Sequence, residues 1–162
     1  MESDTMLYDK IRTPLGIFIV VSDGRELFEV SYESKDAPGH DLSGLKNAPQ
    51  TLRPFTSQIE AYLQGDLKRF DLPLHLSGTS FQNRVWSELT RIPFGETRSY
   101  EDIAKAVGNP AASRATGSAC GRNPIAIVVP CHRVIAKNGG LGGYSGGLEL
   151  KKALLTIEGF VF

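Results

Sequence analysis

Ile125-Ala126-Ile127-Val128-Val129-Pro130-Cys131-His132-Arg133 is the stretch on which the reading of this chain turns. The five apolar residues predict a buried strand that delivers a cysteine to its end. A thiolate is the strongest common protein nucleophile, and the imidazole and guanidinium next in sequence can help to form it. An unperturbed thiol has a pKa of about 8.5, so little thiolate exists at neutral pH without such help. Neighbours on an extended chain face opposite ways, so Cys131 and His132 would need a bridging water. A buried structural cysteine is the duller alternative.

Just upstream, Ala111 to Ala119 predicts a short helix of small residues from which one long side chain, Arg114, projects. Before it, Ser99 is a good N-cap with Asp102 at the third helical position. Ile103, Ala104 and Val107 form the inner face of that helix, and Gly108-Asn109-Pro110 ends it. Helix, glycine turn and short second helix make the pattern of a helix-turn-helix. Phe81, Val85, Trp86 and Leu89 mark one face of an earlier helix that stops before Pro93. Downstream, Gly139, Gly140, Gly142, Gly143, Gly146 and Gly147 predict a mobile loop.

The first half reads differently. Leu15 to Val21 and Leu27 to Tyr32 are rich in β-branched and aromatic residues around Asp23-Gly24, which predicts a hairpin. Residues 34–50 read as a loop. Phe55, Ile59, Tyr62 and Leu63 fall at helical spacing, with Gly65 as the stop. Phe70 to Leu74 is short and extended, and a linker follows near Leu76 to Ser80. Two domains are expected, 1–76 and 77–162.

At 162 residues and 41% hydrophobic content the chain can bury a real core. No run reaches the ~18 apolar residues of a membrane span, and the acidic N-terminus does not read as a signal peptide. A cytoplasmic place of action and no membrane partner are expected. Two cysteines eleven apart suit a reducing compartment and make neither a disulfide framework nor a metal set. The net charge is zero, yet residues 1–81 hold 8 Lys/Arg against 12 Asp/Glu, net −4, and residues 82–137 hold 8 against 4, net +4. From Ile103 to Leu148 there is no acid at all. That asymmetry hints at an anionic partner for the second half.

Gly95-Glu96-Thr97-Arg98-Ser99-Tyr100, Ser113 to Gly117, Asn123-Pro124, Pro130 to Val134, Gly143 to Gly147 and Glu158-Gly159 occur here in one order. Together they closely resemble the O6-alkylguanine-DNA alkyltransferases, the methylated-DNA–protein-cysteine methyltransferases. The resemblance is strong from Phe81 to Gly159. It is looser in the first half, through Leu63-Gln64-Gly65 and Phe70-Asp71-Leu72-Pro73. It implies an N-terminal RNase-H-like α/β domain and a mainly α C-terminal domain with a helix-turn-helix. It also implies DNA repair by a monomer acting on double-stranded DNA. The alkyl group of O6-alkylguanine, and of O4-alkylthymine, would pass irreversibly to Cys131, once per molecule and without a cofactor.

The same resemblance distributes roles. His132 would act through a water, with Glu158 behind it as the carboxylate of a triad. Without the resemblance, Glu158 reads as a solvated helix-end charge. Asn123 would tie the active-site turn together, and Tyr100 would offer its phenol to guanine N3. Arg114 would fill the space of a flipped nucleotide. Backbone carbonyls of Val134 and Cys131 would accept from the guanine amine, the Ser145 amide would donate to O6, and Tyr144 would belong to a flexible wall. Gln82, Asn109, Gly117, Ser118 and Lys137, with Arg114, would touch DNA. Some relatives hold a structural zinc on two cysteines and two histidines. No cysteine precedes Cys120 here, so no metal is expected, and His40 and His75 read as surface or structural. A cysteine hydrolase, or a DNA-binding regulator without chemistry, is the alternative class.

Overall fold

Residues 5–33 and 41–162 are described by the structure, a computed structural model. The chain divides into two units, Met1–Leu76 and Ser77–Phe162. In the first, β1 (Leu7–Thr13), β2 (Gly16–Ser22) and β3 (Leu27–Glu33) form an antiparallel meander, and β4 (Lys46–Asn47) pairs parallel to β1. The sheet order is β3-β2-β1-β4. The expected hairpin is β2–β3. Its turn forms because Asp23 Oδ1 accepts from the Arg25 and Glu26 amides, both at 2.8 Å, while Ser22 Oγ donates to the Glu26 carbonyl at 2.6 Å.

β2 is paired on both sides, and Phe18, Ile19, Val20 and Val21 are all buried, which explains its unbroken apolar run. β1 was not foreseen. Asp9, Lys10 and Arg12 interrupt its pattern, and Ile11 is its one buried residue. The loop expected over 34–50 also contains β4; positions 34–40, His40 among them, lie outside the described residues. α1 (Arg53–Leu63) buries Phe55, Ile59 and Tyr62, and Gly65 follows it at φ +82°, a conformation open to glycine. The extended stretch near Leu74 bridges to Leu27 beside β3. His75 stacks on Phe28 with ring centroids 4.1 Å apart and lies 3.6 Å from Glu26, a structural position.

The second unit is mainly helical, with α2 (Ser80–Leu89), α3 (Tyr100–Ala106), α4 (Ser113–Gly121) and α5 (Leu148–Ile157). Capping boxes start two of them, Thr79 with Gln82 for α2 and Ser99 with Asp102 for α3. α3 and α4 pack together across a turn in which Gly108 has φ +85°. α4 starts and ends two residues later than expected. The Trp86 indole of α2 donates to the Ala119 carbonyl at 2.9 Å, tying α2 to the end of α4. A short parallel pair, β5 (Arg98–Ser99) and β6 (Val134–Ile135), brings the start of α3 beside the segment that follows Cys131.

The strand expected over Ile125–Val129 is absent. Ile125, Ile127, Val128 and Val129 are buried, but as consecutive turns, and Cys131–Arg133 form one turn of 3-10 helix. An apolar run reports burial and leaves backbone shape open. The shape comes from Asn123, whose amide donates to the Val129 carbonyl at 2.7 Å and whose oxygen accepts from the Ile125 amide at 2.9 Å. Within this clamp Ile127 sits at φ +73°, which for a β-branched residue costs on the order of 1–3 kcal/mol. Among the described residues no helix is long and apolar enough to cross a membrane, and no cluster of three or more His, Cys, Asp or Glu could hold a metal ion.

Candidate active site

A cavity of about 470 Å³ opens in the second unit, lined by Tyr100 from α3, by Ser113, Arg114, Gly117, Cys120 and Gly121 from α4, by Cys131, and by Gly143, Tyr144 and Ser145 of the glycine-rich loop. The α4 positions recur at helical spacing, so one face of that helix is one wall. Arg114 and Ser118 are exposed on the helix, and Ser145 is exposed on the loop.

Of the expected Cys–His–Glu set, only Cys131 faces this cavity. The other two are buried beyond it: His132 Nε2 lies 2.7 Å from Glu158 Oε2, and neither side chain is exposed. Glu158 stands at the C-cap of α5, where the helix dipole disfavours a carboxylate, so it needs specific partners. Arg133 Nε donates to its two oxygens at 2.9 and 3.1 Å, and the Gly95 amide donates at 2.9 Å. Burial alone would raise the Glu158 pKa. The hydrogen bonds from His132 and Arg133 outweigh it and bring the value down to about 2. The solvated helix-end reading is thereby excluded for this structure.

Burial lowers the His132 pKa, and the Glu158 hydrogen bond only partly opposes it. Arg133 already balances the carboxylate's charge, so the imidazole rests neutral. With Glu158 ionised, Nε2 carries the hydrogen and Nδ1 is the basic nitrogen. Arg133, next but one in sequence to Cys131, is no direct aid to the thiol. Its guanidinium is committed elsewhere: to Glu158, to the Ile92 carbonyl at 2.7 Å, and over the Phe94 ring at 5.9 Å.

Burial raises the Cys131 pKa, while a hydrogen bond from Asn123 and the charge of Lys151 act the other way. The resting group is a thiol. Cys120, on the same cavity, is pushed by burial to about 12 and stays a thiol. Tyr100 is raised by burial and by the neighbouring Cys120, with an opposing hydrogen bond from the Gly143 backbone, so it remains a neutral donor. Its ring occupies space that glycines leave open. A Cβ at Gly142 would lie 2.7 Å from the phenol oxygen and 2.8 Å from Cε2, and one at Gly117 would meet Cε1 at 3.8 Å.

Val134 is buried and is not among the lining residues; its carbonyl accepts from Lys151 Nζ at 2.7 Å. Lys151 itself was missed. It is fully buried. The available signal was its register: Leu150, Lys151, Leu154 and Leu155 share the buried stripe of α5. The expected DNA contacts are dispersed. Asn109 and Ser118 are exposed, Lys137 is exposed and lies 3.3 Å from Glu101, and the side-chain oxygen of Gln82 accepts from the Thr79 amide at 3.0 Å as part of the α2 cap.

Two family models cover nearly the whole chain. Residues 6–76 match the ribonuclease-like domain of 6-O-methylguanine DNA methyltransferase, and residues 80–160 match its DNA-binding domain. The chain is similar to the methylated-DNA–protein-cysteine methyltransferase of Methanosarcina acetivorans, at 46% identity over 95% of this chain and 99% of the relative. The protein of the same name from Mycolicibacterium paratuberculosis is 52% identical over 93% and 91%. Among solved structures, Mycobacterium tuberculosis OGT in complex with DNA superposes with a TM-score of 0.87 at 43% identity, covering 94% and 92% of the two chains.

Proposed function

Because the chain belongs to the 6-O-methylguanine DNA methyltransferase family, we propose that Cys131 is its alkyl acceptor and that the cavity around it receives the damaged base. The observation that carries this is the arrangement around one thiol: Cys131 on the cavity wall, with His132 and Glu158 hydrogen-bonded at 2.7 Å out of solvent's reach.

The chemistry follows from that arrangement. His132 takes the thiol proton at Nδ1 through a water, and Glu158 stabilises the imidazolium that results. The thiolate attacks the alkyl carbon; an S–C bond forms as the C–O6 bond breaks. Negative charge developing on the guanine is met by the Tyr100 phenol, which is a neutral donor at this pH. The Ser145 amide and the Cys131 carbonyl orient the base; the Val134 carbonyl expected beside them is taken by Lys151 away from the cavity lining. The thioether has no route back to thiol, so each molecule reacts once.

Access to the base follows from α4. α4, the second helix of the helix-turn-helix, enters the minor groove and also walls the cavity, so an extruded base has a short path. Arg114 takes the vacated space, and Asn109, Gly117, Ser118, Gln82 and Lys137 contact the backbone. A lesion that pairs poorly is cheaper to extrude, by part of the few kcal/mol that flipping costs. O4-alkylthymine presents the same kind of alkyl–oxygen bond and is a second substrate. The protein works as a monomer, in the cytoplasm.

The decisive experiment is the intact mass of the protein after incubation with a duplex carrying O6-methylguanine. One added methyl per chain, on Cys131, with no further turnover, is the expected result. Catalytic turnover, or repair with Cys131 unmodified, sinks the proposal.

A further inference from the structure

Of the residues expected to touch DNA, Arg114 and Lys137 alone carry charge. In the free protein Lys137 already has a partner. Its Nζ donates to Glu101 Oε2 at 3.3 Å, and Lys105 Nζ lies 3.4 Å from Glu101 Oε1. One carboxylate thus holds two ammonium groups, one on each oxygen. The fold puts them together. β5 and β6 run parallel with Ser99 beside Ile135, and two residues further along each chain come Glu101 and Lys137. Lys137 stands on a turn closed by the Ala136 amide on the Gly140 carbonyl at 2.8 Å and by the Gly139 amide on the Ala136 carbonyl at 3.0 Å. Lys105 follows Glu101 by one turn of α3, the favourable order for a helical ion pair. Asp102 is committed elsewhere: its Oδ2 accepts from the Ser99 amide at 3.0 Å as the α3 cap. No acid stands between Ile103 and Leu148, so Glu101 is a negative charge at the edge of a basic region. The hydrogen bond from Lys137, and then the charges of Lys137 and Lys105, hold its carboxyl below the usual carboxylate range, so it is ionised at neutral pH.

We propose that Glu101 is an internal stand-in for a DNA phosphate: it occupies Lys137 in the free protein and surrenders it to the DNA backbone on binding, while Lys105 keeps the carboxylate paired. The proposal rests on the reading of Lys137 as a DNA contact and deepens it. The Lys137 side chain is 75% exposed, so a phosphate can reach it. Exposed ion pairs are weak, so the exchange of partners is easy. Its consequence falls on undamaged DNA. A free lysine that neutralises a phosphate releases a counterion, and that gain is independent of sequence. A lysine already neutralised by Glu101 gains less. A phosphate at Lys137 also meets the carboxylate's charge well within the Debye length, about 10 Å at 0.1 M salt. Glu101 therefore lowers affinity for every duplex alike and leaves the preference for a lesion to the cavity.

Glu101→Gln removes the charge and keeps the shape. Its affinity for an undamaged duplex at low salt should rise roughly three- to tenfold, and the slope of log affinity against log salt should steepen by up to about 0.9, the share of one phosphate contact. Lys137→Gln should weaken binding, and in that background Glu101→Gln should change affinity by no more than about twofold. Lys105→Gln leaves Glu101 with Lys137 alone, so it should lower duplex affinity in the wild-type background and by less beside Glu101→Gln. The rate with free O6-benzylguanine, which needs the cavity and not DNA, should be the same for Glu101→Gln and wild type. Unchanged affinity and slope in Glu101→Gln overturns the proposal. So does an equal gain with and without Lys137, or an equal loss from Lys105→Gln with and without Glu101. An altered O6-benzylguanine rate overturns it as well, because Glu101 then acts on the cavity through its neighbour Tyr100. Failure of wild type to take up a methyl group from a duplex carrying O6-methylguanine overturns the proposed function instead.

Discussion

In the first unit the interior is Phe18, Ile19, Val20, Leu27, Leu52, Phe55 and Ile59, and its buried small polar side chains are Ser22 and Thr56. In the second, Ile103, Ile125 and Leu154 share the interior with His132, Arg133, Lys151 and Glu158. Among the described residues every buried acid, base and histidine belongs to the second unit. Apolar burial stabilises by about 25 cal/mol per Å² and asks nothing of its neighbours. A buried ionic cluster is often less stable than an apolar replacement of the same shape. The second unit therefore carries groups that stability alone does not call for, which is the mark of a site.

That contrast can be broken by substitution, and the largest expected effect is at the sulfur. Cys131→Ala should abolish methyl uptake in the intact-mass assay and leave affinity for undamaged duplex unchanged. Glu158→Gln comes next: transfer should slow about a thousandfold in single-turnover kinetics. It also separates the units by pH. Glu158 falls from 4.5 to about 2 on folding, so its stabilisation, on the order of 3 kcal/mol, is full above pH 4.5 and is lost as pH drops towards 2. His132, also lowered on folding, has the same sign and begins to act as pH falls through 6.5. Urea unfolding across acid pH should show a steep loss for wild type and a shallower one for Glu158→Gln.

Tyr100→Phe should cost roughly a hundredfold in transfer rate with the fold intact, since the ring remains and only the donor goes. Arg114→Ala should cost about tenfold on duplex substrate and nothing on free O6-benzylguanine, because only the duplex demands flipping. The smallest effect on chemistry is expected from the first unit. Ile59→Ala should lower stability by about 2–5 kcal/mol while transfer per folded molecule stays the same. A rate loss there as large as that of Tyr100→Phe would erase the distinction between the units.

Much of this was legible in the sequence for physical reasons. Capping pairs such as Ser99 with Asp102 act through local hydrogen bonds, so their spacing alone marks α3. The β2–β3 hairpin announces itself because its turn is local too. What was hidden depends on contacts distant in sequence. β1 gains its place from β2 and β4, not from its own charged pattern. The Ile125–Val129 turns owe their shape to the Asn123 clamp. The partner that directs Arg133 lies 25 residues away, and that of Lys151 lies 17 away at Val134. The motif residues Cys131, His132, Asn123 and Glu158 were visible as a pattern; which of them faces the cavity was not.

Gly142 gives the glycine-rich loop a second meaning. Its missing side chain is the seat of the Tyr100 phenol, and a methyl group there would occupy the same space as the ring. Gly143, one residue on, has nothing within 4 Å of a would-be Cβ. Two adjacent glycines thus differ in kind, one a mould and the other a blank. Variation along this loop should be read position by position: a change at Gly143 adjusts the wall that the base meets, and a change at Gly142 displaces the proton donor.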